Sequence, residues 1–187
     1  LLTTWFRGQK ILGQILSHAH VSVRDFAEDF VKQNYRRVPG TAVYMTPRKH
    51  VLPEPMVLNL RYNKVLHERI ILLTIQTTNE PYSEPEERFD IQELAENFLR
   101  VVIRYGFLEE PNLDHDLRDC VYNDHPLLEG DMAFFLGHEW IIPTRGVGMA
   151  IWREHIYAWM KRNAASAIDF YRVPVHKVME IGGQYEI

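Results

Sequence analysis

Residues 63–69, Asn63-Lys64-Val65-Leu66-His67-Glu68-Arg69, run directly into Ile70-Ile71-Leu72-Leu73-Thr74-Ile75. A dense polar cluster meets a run that is apolar almost throughout, the pattern of a strand buried on both faces. About thirty residues later the pattern recurs: Phe98-Leu99-Arg100-Val101-Val102-Ile103 is followed by Arg104-Tyr105-Gly106-Phe107-Leu108-Glu109-Glu110-Pro111. Strands of this kind need helices on both sides, so the pair predicts a layered α/β arrangement.

The flanking sequence supplies those helices. Leu1, Trp5, Leu12, Ile15, Leu16 and Ala19 fall at helical spacing and predict a helix to about His20. Ser22, with Asp25 three positions on, opens a second helix to about Asn34, with Phe26, Ala27, Phe30 and Val31 as its apolar face. Arg36-Arg37 are expected to end it and Pro39-Gly40 to turn the chain into a short strand over 41–45. Pro53-Glu54-Pro55 starts a third helix, because proline is tolerated in a first turn.

Beyond the strand at Arg69–Thr77, residues 79–87 carry two prolines and four glutamates and read as an exposed loop. Phe89–Leu94 and Phe98–Tyr105 form a hairpin joined near Ala95-Glu96-Asn97, and Asn112 caps a helix reaching about Cys120. Two short strands, 133–136 and 139–143, are expected around Gly137-His138. Gly146 to Gly148 lead into the longest helix, Met149 to about Ala165, and a last short strand lies at 178–181. The whole is read as one mixed α/β domain with a central mixed β-sheet flanked by helices.

Composition sets the outer limits. A chain of 187 residues builds one sizeable core, and 46% hydrophobic with 25% charged residues excludes the disordered class. The one cysteine, Cys120, cannot form an internal disulfide and fits a reducing compartment; it reads as a small buried apolar residue rather than a nucleophile. No stretch approaches the roughly 20 apolar residues of a membrane-spanning helix, and no secretory leader is expected. Residues 1–72 carry eleven Lys/Arg against five Asp/Glu, a net of +6, while residues 73–187 carry ten against twenty, a net of −10. So acidic a distal portion argues against nucleic acid as a partner. The basic portion fits proximity to anionic lipid.

Four motifs in order carry a resemblance: Val38-Pro39-Gly40-Thr41-Ala42, Asn63 to Arg69, Arg104 to Pro111, and Arg162-Asn163-Ala164-Ala165-Ser166 with Asp169-Phe170. In these the chain resembles the cytosolic C-terminal domain of the bacterial KUP-type potassium uptake transporters. Thr3-Thr4-Trp5-Phe6-Arg7-Gly8 resembles the segment by which such proteins leave their last membrane helix. The resemblance implies a juxtamembrane linker helix over 1–20 and a cytosolic domain over 21–187. It places Trp5, Arg7 and Lys10 next to the cytoplasmic face of the inner membrane. It further implies a regulatory, non-catalytic part of a proton-coupled potassium symporter, with the transmembrane bundle of the same polypeptide as partner, a possible homodimer, and no cofactor. A small cytosolic nucleotide is the alternative ligand, received in a sheet-end groove near Asn63, His67, Glu68, Arg69, Arg104 and Tyr105.

Read for chemistry alone, the residues offer less. His67-Glu68 invites a general base, the basis of a rival reading as a small cytosolic enzyme. Neighbours on a strand point apart, however, and no second histidine follows at zinc-binding spacing, so a structural role is favoured. Asp114-His115-Asp116, with Asp119 and Asp124-His125, matches no calcium loop and reads as a solvated acidic helix. His138-Glu139 is equally weak. Gly146-Val147-Gly148 lacks the context of a dinucleotide site. Arg104-Tyr105 offers a guanidinium fork and an aromatic face, or else an ion pair with Glu68 or Glu109 that fixes strand ends. A free-standing interaction module is the third reading.

Overall fold

The computed structural model describes residues 1–17, 22–32, 35–123, 125–128, 131–144, 149–164 and 170–187. Its elements are α1 (Leu2–Ser17), α2 (Val23–Lys32), β1 (Arg36–Met45), α3 (Glu54–Asn63), β2 (Val65–Thr77), β3 (Phe89–Ala95), β4 (Phe98–Tyr105), α4 (Leu113–Asp119), β5 (Val121–Tyr122), β6 (His125–Pro126), β7 (Met132–Ile142), α5 (Ile151–Arg162) and β8 (Val178–Glu186). One six-stranded sheet runs in the order β3-β4-β2-β1-β7-β8, and β5 and β6 make a separate small ribbon. β4, β2, β1 and β7 pair in parallel, while β3 pairs antiparallel with β4. This is the mixed α/β fold expected. No helix among the described residues is long and apolar enough to cross a membrane.

The expectation of a strand buried on both faces holds for β2. Ile70 and Leu72 join a cluster with Tyr44, Phe98 and Phe135 that Phe26, Phe30 and Met56 of α2 and α3 cover. Ile71 and Leu73 join the opposite cluster with Val43, Val101 and Phe134, covered by Leu113 and Leu117 of α4 and by Leu127 and Leu128. Cys120, 5% exposed, lies in the second cluster, and burial pushes its thiol up.

Several boundaries differ from expectation, each for a physical reason. β1 starts at Arg36, so Arg36-Arg37 belong to a strand instead of closing α2, and Pro39-Gly40 do not form a turn. Val38 pairs with His67 and Thr41 with Arg69, so three steps on β1 answer two on β2. Pro39, with no N–H to donate, sits in that bulge and before the β7 pairing begins at Thr41. Gly40 has φ 101°, and a side chain there would meet the Asp131 carbonyl oxygen at 2.9 Å.

β2 begins at Val65, four residues earlier than expected, so His67 and Glu68 join Arg69 inside the strand. α3 ends at Asn63, and Lys64 takes φ 55° as its left-handed cap and donates its N–H to the Leu60 carbonyl. The β3–β4 hairpin turns at Asn97, φ 60°, as expected. β7 is one continuous strand of 11 residues passing through Gly137, not two short ones, and β8 continues through Gly182-Gly183 to Glu186. The Gly146–Gly148 lead, Asp124, Ser166 and Asp169 lie outside the described residues.

Contacts group the chain into two units. One comprises 1–20, 138–166 and 182–187; the other comprises 21–137 and 167–181. Within the first, α1 buries Thr4, Gly8 and Leu12; of the expected stripe Leu12 is buried and Trp5 half-buried, while Leu1 is 77% exposed. Gly8 is pressed against the Tyr157 ring of α5, where a Cβ would overlap the ring. Trp5 packs on the same ring at 5.7 Å, and Arg153 Nε donates to Thr4 Oγ1 at 3.1 Å.

Candidate functional site

The six residues expected to share a groove occupy two distant places. His67 stands opposite Val38 near the start of β2, while Arg104 stands opposite Gln76, nine residues further along the same strand. At the rise of a strand that is roughly 30 Å. Asn63, His67, Glu68 and Arg69 therefore form one locus, Arg104 and Tyr105 another, and no groove joins them.

The first locus is the joint between α3 and β2. Buried Asn59 donates through Nδ2 to Tyr44 Oη at 3.1 Å and to the Val65 carbonyl at 3.2 Å, and its Oδ1 accepts from Asn63 Nδ2 at 2.7 Å. Arg37 donates to the His67 carbonyl at 3.2 Å while lying 4.0 Å above the Phe30 ring. His67 sets its ring edge-on to Phe135 at 5.6 Å, and its Nδ1 is buried without a hydrogen-bond partner. Burial lowers its pKa, which keeps the imidazole neutral. Glu68 is exposed, and as the next residue on the strand it points to the other face. A base needs a proton path and an orienting partner, and His67 shows neither.

The second locus is a knot at the end of β4. The Glu109 carboxylate accepts from the Gly106 N–H at 2.5 Å and the Ser83 N–H at 3.1 Å, and it pairs with Arg88. Burial draws its pKa up, but the donors at Gly106, Arg88 and Ser83 outweigh this and hold it below the usual carboxylate range. Phe107 and Leu108 donate to the carbonyls of Glu80 and Pro81 at 2.9 and 3.0 Å. This brings segment 80–83 so close that a Cβ on Gly106 would overlap the Pro81 carbonyl. Tyr105 Oη donates to Asp116 at 2.5 Å. Arg104 donates to the Glu87 carbonyl at 2.9 Å and pairs with Asp90 at 3.4 Å, not with Glu68 or Glu109. The Arg-Tyr-Gly-Phe motif thus ties a loop to a strand end.

Elsewhere the acidic helix is α4, where Asp114 pairs with Arg118 at 3.1 Å and His115 with Asp119 at 3.3 Å. Among the described residues no three His, Cys, Asp or Glu side chains converge as a metal site would require. Of the three residues expected near a membrane, Trp5 is half-buried and Arg7 and Lys10 are exposed.

One concavity escapes a reading of the sequence. Within the smaller unit, a cleft of about 310 Å3 is lined by His138, Glu139, Trp140, Lys161, Arg162 and Gln184, among others. Lys161 pairs with Glu139 at 2.7 Å, and the His138 and Trp140 rings lie 4.3 Å apart. Burial, then the Glu139 charge, pushes the nearby Tyr157 hydroxyl up to about 12. Cations beside an aromatic face suit an anionic, planar small molecule. Its walls come from β7, α5 and β8, so no local motif announces it.

Comparison with known proteins agrees with the family resemblance. The family model described as the K+ potassium transporter C-terminal domain matches residues 39–187. The "Probable potassium transport system protein Kup" of Myxococcus xanthus is 41% identical over 187 residues, which is 100% of this chain and 29% of that protein. Its counterpart "Kup 2" from Chromobacterium violaceum is 40% identical, with 100% and 30% covered, and that of Zymomonas mobilis 36%, with 100% and 28% covered. The chain thus spans under a third of the length of these relatives. No solved structure matches.

Proposed function

Because this chain belongs to the K+ potassium transporter C-terminal domain family, we propose that it is the cytosolic, non-catalytic regulatory portion of a proton-coupled potassium uptake transporter. The observation that carries the reading is full coverage of this chain against less than a third of proteins named for potassium transport. Its partner is the transmembrane bundle of the same polypeptide, at the cytoplasmic face of the inner membrane. Residues 1–20 would be the juxtamembrane linker and 21–187 the cytosolic domain, with Trp5, Arg7 and Lys10 on the membrane-proximal segment. It acts by binding one state of the bundle more tightly than another, which biases the transport cycle.

Potassium uptake into transport-deficient cells tests this. The whole transporter is compared with one lacking this chain, at matched membrane expression. The reading expects a changed uptake rate or potassium affinity in the shortened protein; identical kinetics would reject it.

A second reading, control by a small cytosolic nucleotide, is favoured by the cleft beside Trp140, Lys161 and Arg162. Its place would be that cleft, not the separated residues around His67 and Arg104. Calorimetry with mononucleotides and dinucleotides tests it: heat that disappears in Trp140→Ala supports it, and no heat from the parent chain rejects it.

A further inference from the structure

All four tryptophans of the chain, Trp5, Trp140, Trp152 and Trp159, fall in the smaller unit. Tryptophan is ordinarily well covered, yet Trp152 is 62% and Trp159 57% exposed. They stand seven residues apart on α5, about two helical turns, so both leave the same side of it. Ile156 lies between them, one turn from Trp152. The opposite side holds Tyr157, fully buried against Gly8 and Trp5. The tryptophan side is therefore the one α5 leaves unpacked.

Charge on this helix has one sign at the surface. α5 carries Arg153, Lys161 and Arg162 against a single carboxylate, Glu154; Arg153 donates to Thr4 and Lys161 pairs with Glu139, which leaves Arg162 as the exposed cation of the three. Glu154 is fully buried and accepts from the Thr144 and Met149 N–H groups at 3.1 Å each, so it adds no negative charge to the solvent face. Arg162 and His155 are exposed beside the tryptophans. In a region 73–187 whose net charge is −10, this is a local inversion.

We infer that this face of α5 rests on an anionic lipid surface. Trp152 and Trp159 enter the boundary between headgroups and acyl chains, and Arg162 pairs with lipid phosphate. Indole has an apolar body and one N–H donor, which suits that boundary, and a guanidinium beside it suits phosphate. Charge selects lipid over a second copy, since a two-fold contact through this face would set like cations together. The inference stands apart from the transporter assignment.

The test mixes the 187-residue chain with unilamellar vesicles of phosphatidylcholine, alone or with phosphatidylglycerol, and follows sedimentation and tryptophan emission. The chain should sediment with the anionic vesicles, shift its emission to the blue, and detach at high salt. Trp152→Ser together with Trp159→Ser should lower partitioning by about tenfold or more, and Arg162→Glu by roughly fivefold or more. Tyr82→Ser, which removes a comparably exposed aromatic from the other unit, should leave it unchanged. Circular dichroism checks that each variant keeps its fold, and quenching by brominated lipid on the parent chain reads indole depth without any substitution. Absence of sedimentation with anionic vesicles, equal binding to phosphatidylcholine alone, or parental partitioning in the double tryptophan variant would overturn the inference. So would a dimer abolished by those two substitutions, which would give the face to a second copy.

Discussion

Removing the Glu109 carboxylate should unfasten loop 78–88 from the end of β4. In Glu109→Ala, the N–H groups of Gly106 and Ser83 lose their acceptor and Arg88 loses its partner. Each N–H left unsatisfied costs about 1–3 kcal/mol. The Arg88 and Glu109 side chains are only 23% and 14% exposed, so losing this partly buried pair adds to the cost. The two N–H groups together account for about 2–6 kcal/mol, which lowers the melting temperature by roughly 4–24 °C in a domain of this size. Glu109→Gln keeps an oxygen acceptor and loses the charge, so about 1 kcal/mol is expected. Acid separates the two variants further. The native pKa lies below the unfolded value near 4.3, so the carboxylate's contribution is complete above about pH 5 and is lost as pH falls through the native pKa. Thermal melts followed by circular dichroism between neutral and acid pH read both effects. A Glu109→Ala chain melting within a degree of the parent, or one with the parent's full acid sensitivity, would refute the assignment of the knot.

Three further outcomes follow from other joints. Gly8→Ala should cost about 1–3 kcal/mol through overpacking against the Tyr157 ring, read by calorimetry, and a neutral result would show that α1 does not press on α5. His67→Gln should flatten stability between about pH 7 and 5. The parent's neutral imidazole resists protonation while the unfolded chain takes it up below about 6.5, so the parent loses stability as pH falls. A variant with the parent's slope would contradict this. Ile71→Ala should destabilise by about 2–5 kcal/mol, because the side chain is fully buried; urea unfolding would show it as a lower midpoint at unchanged slope.

What the sequence made legible follows from how local the signal was. Ile70 to Ile75 announced a strand covered on both faces because alternate residues feed two separate clusters. Asn97 announced the hairpin and Asn112 the α4 cap, which accepts from the His115 N–H at 3.3 Å. Pro39-Gly40 misled because proline in a central strand is rare outside a bulge, and the bulge depends on register against His67 to Arg69. Gly137 suggested a break where β7 continues. The candidate site was least legible: Asn63 to Arg69 and Arg104-Tyr105 are each motif-like, but only the parallel β2–β4 register sets them at opposite ends of a strand. The cleft at Trp140 and the tryptophan side of α5 depend on packing among segments distant in sequence.

The proposed function rests on this chain engaging the membrane portion of a transporter. The direct measurement is co-elution of the purified chain with the detergent-solubilised transporter from which the same residues have been removed, followed by size-exclusion chromatography. A stable complex is expected, one that also returns the shortened transporter's uptake to parental kinetics in reconstituted vesicles. Separate elution, together with uptake indifferent to the added chain, would contradict it.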